Sequence, residues 1–182
     1  MQVPVCSESL INIARENGAQ QAAVVLVAQI PFRREFRAAC EQNTCGKFGR
    51  CWACPPDIGG IDELIEKARS YSHAPVFQTI GTLEDSFDIE GMEAAAIKHN
   101  AVIQLMAPKL AAVAQNTLKL GAGGCHVCAR CAKAENEPCR EPQKAVASLE
   151  AHGIAVSELA EICGMKYING QNTVTFFGGF LF

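Results

Sequence analysis

Eight of the ten cysteines of this 182-residue chain fall into two groups of four, and each group has enough thiols to complete a metal centre. The first quartet, which runs directly into two prolines, consists of Cys40, Cys45, Cys51 and Cys54. The second quartet consists of Cys125, Cys128, Cys131 and Cys139. Cysteines at this density either bind metal or form disulfides. Which of the two they do constrains the fold more than any other feature of the sequence.

The rest of the sequence favours metal over disulfides. The amino terminus has no basic segment followed by an apolar run, because Glu8, Arg15 and Glu16 interrupt it. The longest apolar stretch, residues 22–28, is far shorter than the roughly 20 residues that a membrane-spanning helix needs. These features predict a cytoplasmic protein without a membrane span, in a compartment that keeps thiols reduced. A disulfide scaffold is the less favoured alternative.

The spacing of the second quartet favours an iron–sulfur cluster over zinc. Its first three cysteines follow a C-x2-C-x2-C pattern, with which ferredoxin-type loops reach three irons of one [4Fe–4S] cluster. Structural zinc sites instead pair two short cysteine knuckles across a longer gap. Three neighbouring glycines (Gly121, Gly123 and Gly124) fit the cluster interpretation, because they let backbone N–H groups approach the cluster sulfurs.

The first quartet is more loosely spaced, but its Cys-Pro-Pro ending resembles the proline that follows the last cysteine of ferredoxin runs. Lys47 and Arg50 lie within it, and their charges are either ordinary surface cations or a means of raising a cluster potential. Trp52 is expected to shield a cluster from water. We therefore predict two [4Fe–4S] clusters, with zinc at one or both sites as the alternative. Cys139 could ligate its own cluster or the other one, as in two-cluster ferredoxins.

Other functional classes lack support in the sequence. The net charge of −3 gives no general attraction to nucleic acid, whose binding proteins usually carry a positive excess. The chain has no Walker A pattern, no G-x-G-x-x-G and no H-E-x-x-H motif. The four histidines are scattered, and only His126 lies inside a quartet. Cys6 and Cys163 belong to neither quartet and are expected to behave as small buried apolar residues.

The remaining segments predict an α/β or α+β fold in which a small mixed sheet is flanked by helices. Alternating strands and helices support this class, with the two cysteine-rich loops at the sheet edge. Pro108 should kink or split the third long helix, and the acidic stretch 84–90 should be a solvated loop. The expected strands cover residues 22–30, 74–81, 118–120 and 173–182. The expected helices cover residues 7–18, 62–71, 92–116, 148–152 and 157–163. All of residues 1–182 are expected to form a single metal-binding domain.

Two blocks of the sequence resemble a known prokaryotic family. The first block is Arg37-x2-Cys40-x4-Cys45-Gly-Lys-Phe-Gly49-x-Cys51-Trp-Ala-Cys54-Pro-Pro56. The second is Leu120-Gly-Ala-Gly-Gly-Cys125-x2-Cys128-x2-Cys131, followed by Cys139-Arg140 and Ser148-x-Glu150-Ala-x-Gly153-Ile. Both are similar to signatures of a family of cysteine-rich predicted metal-binding proteins of unknown function. The resemblance implies a cysteine-ligated metalloprotein of anaerobic bacteria and archaea and supplies no substrate.

The sequence therefore predicts an iron–sulfur protein that transfers electrons to or from an unidentified redox partner protein. Four thiols for each cluster would leave no iron open, and closed clusters serve electron transfer. A second hypothesis is an enzyme in which one cluster, held by the looser first quartet, keeps an iron open for substrate or sulfur chemistry. A third is an interaction module stabilised by structural zinc.

Overall fold

The computed structural model describes residues 6–114 and 116–182 and is built on a five-stranded mixed sheet. The strands are β1 (Gln21–Leu26), β2 (His73–Thr82), β3 (Leu118–Gly121), β4 (Ala147–Ser148) and β5 (Thr173–Leu181). The helices are α1 (Ser7–Glu16), α2 (Phe36–Glu41), α3 (Ile61–Arg69), α4 (Ile89–Ala111) and α5 (Val156–Ile162). The order across the sheet is β1-β2-β5-β3-β4, in which only the β3–β4 pair is parallel. The predicted class, a small mixed sheet flanked by helices, is confirmed.

Both faces of the sheet are covered, because alternate side chains of the two central strands point in opposite directions. Phe77 of β2 and Phe180 of β5 pack with buried residues of α1 and α4. Val76 and Phe177, on the opposite face of the same strands, pack with α3 and α5. The apolar carboxyl-terminal segment is thus a central strand, as the sequence predicts.

Several boundaries differ from those predicted from sequence. β1 ends at Leu26, because Val27–Gln29 forms a 3₁₀ turn, and β1 is a half-buried edge strand rather than a buried one. The predicted split at Pro108 is wrong: α4 continues to Ala111, because the proline removes one backbone hydrogen bond from a helix of 23 residues. α2 and the short strand β4 are additional elements that the apolar pattern does not indicate.

The acidic stretch before α4 is an exposed loop, as the sequence predicts, and Asp88 fixes its conformation. The Asp88 carboxylate accepts hydrogen bonds from the backbone N–H of Gly91, at 2.8 Å, and from that of Glu84, at 3.0 Å. The first bond caps α4, whose early N–H groups have no partners within the helix. One aspartate therefore fixes both the loop and the start of the longest helix.

The quartets lie in two long connections. The loop of residues 122–146 links β3 to β4 and carries the second quartet, while the first quartet spans α2 and the segment before α3. Because β3 and β4 are adjacent at one side of the sheet, the second quartet hangs from that side. Within the residues described, no helix is both long and apolar enough to cross a membrane.

Candidate metal centre

All four thiols of the second quartet line one small cavity, together with Cys51 of the first quartet. Trp52, Ala53, Val127 and Ala132 contribute apolar walls, while Arg140 and Glu141 lie at the side of the cavity. The free volume is about 20 Å³, close to what a single water molecule requires. Thiols from both quartets therefore border one enclosed space.

Cys51 is the thiol that joins the two quartets. Its side chain is 1% exposed and hydrogen-bonds to the thiols of Cys54 and Cys131. The bond from Cys54 is the main reason that the pKa of Cys51 falls to about 5, helped by the backbone of Cys125 and Ala53 and opposed by burial. Because the thiolate is the form that binds metal, this environment suits Cys51 as a ligand.

The other three thiols of the first quartet form a second group around Cys54. Its thiol lies near enough to Cys40 and Cys45 for their charges to interact. Its pKa is raised, first by the hydrogen bond to Cys51 and then by burial. Burial also raises the pKa of Cys40, while the nearby Arg37 guanidinium opposes that shift. The first quartet is thus divided. Cys51 lines the cavity of the second quartet, and the thiols of Cys40, Cys45 and Cys54 form a group next to Cys51.

A clasp of polar contacts holds the two cysteine loops together. The Trp52 indole N–H donates to the carbonyl oxygen of Glu137, with 2.8 Å between Nε1 and O. The Lys133 ammonium lies 4.1 Å from the centroid of the same indole and pairs with the Asp57 carboxylate at 2.5 Å. These contacts join residues 52–57 of the first loop to residues 133–137 of the second. They explain why Cys51 reaches the second quartet.

A family model described as predicted metal-binding protein (DUF2284) matches residues 23–182. The chain belongs to this family. The match contains both quartets and confirms the resemblance inferred from the cysteine blocks. No curated protein and no solved structure matches the chain. The family description establishes predicted metal binding as the shared property and does not specify the metal.

The donor set of this family member suits a metal that prefers sulfur. Every titratable side chain lining the small cavity, apart from Arg140 and Glu141, is a cysteine. Across residues 6–114 and 116–182, however, no three His, Cys, Asp or Glu side chains are arranged to hold a single metal ion. The thiols have the donor chemistry that both iron–sulfur clusters and zinc accept.

The clasp should contribute measurably to the free energy of unfolding. We expect Lys133→Ala to lower the free energy of unfolding by about 2–3 kcal/mol, because it strands the largely buried Asp57 carboxylate and removes the contact with Trp52. Lys144→Ala is the matched control, since its pair with Glu141 is about half exposed on both sides and should contribute less than about 1 kcal/mol. Urea unfolding of metal-loaded protein makes the comparison. Equal losses in the two variants would show that the clasp is not structural.

The three glycines before the second quartet have different surroundings. A Cβ atom at Gly121 would lie 2.8 Å from Cδ1 of Ile103 and 3.2 Å from Cγ1 of Val146. At Gly124 it would lie 3.1 Å from Cγ of Lys47, an exposed side chain of the first quartet. Gly123 has a positive φ of 63° and no neighbour within 4 Å of such an atom. Core packing and backbone conformation thus account for Gly121 and Gly123.

The two crowded glycines should respond differently to alanine. Gly121→Ala is expected to cost about 1–3 kcal/mol of stability, because Ile103 is buried and cannot move aside without repacking α4. Gly124→Ala should cost less than about 1 kcal/mol, because the flexible Lys47 stem can shift into solvent. Denaturant midpoints of the two variants, measured side by side, test this. A larger loss for Gly124→Ala would contradict the packing argument.

The two remaining cysteines lie outside both groups. Cys163 packs against the core beside α5, and burial raises the pKa of its thiol to about 11. Cys6 is exposed at the start of α1, so the expectation of a buried residue is wrong for it. His126 is half-buried beside Cys125, and burial lowers its pKa. Neither extra cysteine is placed to join a metal centre.

The sequence did not indicate the contribution of Asp57, Lys133 and the Glu137 carbonyl to the clasp. They are ordinary charged residues in the sequence, and the pair Asp57–Lys133 is separated by 76 positions. The only signal was Trp52, whose position between two cysteines marked the segment. Contacts between two loops of this kind depend on how the sheet brings the loops together.

Proposed function

We propose that this family member is a cytoplasmic protein that binds two [4Fe–4S] clusters and transfers electrons in an anaerobic redox system. Cys40, Cys45, Cys51 and Cys54 would hold one cluster, and Cys125, Cys128, Cys131 and Cys139 the other. Residues 1–182 would act as one domain around both. The observation that carries the proposal is the convergence of five thiols, drawn from both quartets, on one cavity.

Two features support clusters over zinc. The C-x2-C-x2-C spacing is typical of [4Fe–4S] loops. Cys51 and Cys54 are 1% and 8% exposed, so the centre would be shielded from water as an oxygen-sensitive group requires. Zinc at one or both sites would support metal binding but contradict the proposed clusters and electron transfer.

The closeness of the two thiol groups supports electron transfer. Cys51 hydrogen-bonds to Cys54 on one side and to Cys131 on the other, so only a few covalent and hydrogen bonds separate the groups. When bound, such clusters accept and donate single electrons at potentials set by nearby charge, hydrogen bonds and exposure. Lys47 lies against Gly124, and Arg37 lies beside Cys40, so the chain places a cation next to each group.

Anaerobic reduction tests the proposal. Dithionite should bleach the visible absorption of the purified protein and produce electron paramagnetic resonance signals from two reduced clusters that interact magnetically. The interaction is expected because Cys51 brings the two ligand groups into contact. A protein with no chromophore and no signal after reduction would contradict the proposed activity.

The position of Cys51 also favours the second candidate function, an open iron at the first centre. If Cys51 serves the second-quartet centre in place of one thiol of that quartet, the first centre keeps only the thiols of Cys40, Cys45 and Cys54. A small ligand such as cyanide should then alter one of the two resonance signals and leave the other unchanged. A spectrum that does not respond to the ligand would favour closed clusters and the electron carrier.

A further inference from the structure

A groove of about 640 Å³ lies next to the thiol cavity, and the proposed function does not use it. Trp52, Ala53 and Ala145 line both spaces, so the groove and the thiol cavity share part of their walls. The volume lies in the range of roughly 300–1,000 Å³ that is typical of small-molecule sites. The groove is therefore large enough for an organic ligand and directly adjoins the candidate metal centre.

One part of the groove wall is apolar. It is formed mainly by the last turns of α4, by α3 and by the sheet, through Leu64, Ala107, Pro108, Leu118 and Phe180. β3 pairs with β4, in parallel, only at Leu120 and Gly121, so Leu118 lies before the first paired residue of β4 and borders the groove. A ring or a short hydrocarbon could bury itself against this surface.

The charged side chains that line the groove are positive. Lys67 of α3 and Lys119 of β3 line it, and no Asp or Glu does so in the part of the chain that the structure describes. Lys119 is half-buried and donates one hydrogen bond to the carbonyl oxygen of Gln143, which leaves two N–H donors of its ammonium. His152 also lines the groove, and burial lowers its pKa to about 4, so its imidazole is neutral at pH 7.

We propose that the groove binds a small organic acid as its anion, with the apolar body of the ligand against α4 and its carboxylate at Lys119 and Lys67. Charge complementarity selects the anion, since two lysines line the groove and none of the described residues that line it carries a carboxylate. The apolar wall selects a molecule with a ring or chain over an inorganic ion. This inference does not depend on which metal the neighbouring thiols hold.

A matched pair of probes tests the charge requirement. Calorimetric titration of the metal-loaded full chain with 2-naphthoate should show one site, whereas the uncharged 2-naphthamide should bind at least about tenfold more weakly because it lacks the charge-assisted bonds to lysine. Equal affinities for the two probes, or no binding of 2-naphthoate at millimolar concentration, would overturn the proposal.

Three variants locate the site. Lys119→Gln should weaken 2-naphthoate binding by about tenfold, whereas Lys98→Gln, which changes an exposed lysine outside the groove, should leave the affinity within about twofold. Ala111→Trp fills the groove from an exposed position at the end of α4 and should abolish binding. Unchanged affinity in Lys119→Gln and Ala111→Trp would refute this site. Metal analysis of each variant separates that failure from a failure of the metal centre.

Discussion

Replacing Cys51 by alanine is expected to remove at least half of the bound iron and to lower the melting temperature by about 10 °C or more. The reason is its position: this buried thiol lines the second-quartet cavity and is hydrogen-bonded to Cys54 of its own quartet. Its loss therefore disturbs both thiol groups, and the free energy of metal binding is also free energy of folding. Iron analysis and differential scanning calorimetry of anaerobically purified variants measure the two effects.

Two other cysteine variants serve as controls that test whether the effect is specific to Cys51. Cys45→Ala removes an exposed thiol that does not line the cavity, and it should affect only the first centre. Cys163→Ala removes a partly buried thiol that packs against the core and belongs to neither quartet, so this variant should retain the full iron content with only a small loss of stability. If Cys51→Ala lost no more iron than Cys45→Ala, the thiol could not have the joining position that the structure gives it.

Removal of the metal should release the cysteine loops while leaving the sheet folded. Residues 42–60 and 122–146 contain little helix or strand, and their buried contacts centre on the thiols and the clasp. The sheet, in contrast, has apolar cores on both faces that include no quartet cysteine. We therefore expect amide hydrogen exchange in the two loops to accelerate by at least about 100-fold in the metal-free protein, and exchange in β2 and β5 to change much less.

Hydrogen–deuterium exchange with peptide-level mass spectrometry follows this loosening, with reconstituted protein as the control. Restoration of slow exchange on reconstitution shows that the loss is reversible. Uniform acceleration in loops and strands alike would mean that the metal stabilises the whole fold. Unchanged exchange in the loops would mean that the clasp and the thiol contacts are sufficient without metal.

Much of the sheet and its helices was predictable because those segments have a clear local pattern. Leu64, Ile65 and Ala68 have helical spacing, and all three are buried on α3. The apolar segments that became β2 and β5 are long enough to require burial, and both are central strands. Boundaries were less predictable where two tendencies compete, as at Leu26, where a 3₁₀ turn ends β1 within a continuous apolar run.

The candidate site was predictable as a set of thiols but not as an arrangement. Spacing groups Cys51 with Cys40, Cys45 and Cys54, whereas the structure places its thiol against Cys131, 80 positions along the chain (131 − 51). That contact depends on Trp52 and Lys133, whose partners lie in the opposite loop. No local pattern encodes such a contact, because it exists only once β3 and β4 have brought the second loop to the side of the sheet.

The central claim is that both quartets bind iron–sulfur clusters, and quantitative metal and sulfide analysis tests it most directly. Protein purified without oxygen should contain about eight iron atoms and about eight acid-labile sulfides per chain, as two [4Fe–4S] clusters require, with little zinc. Colourless protein that contains stoichiometric zinc and no acid-labile sulfide would contradict the claim.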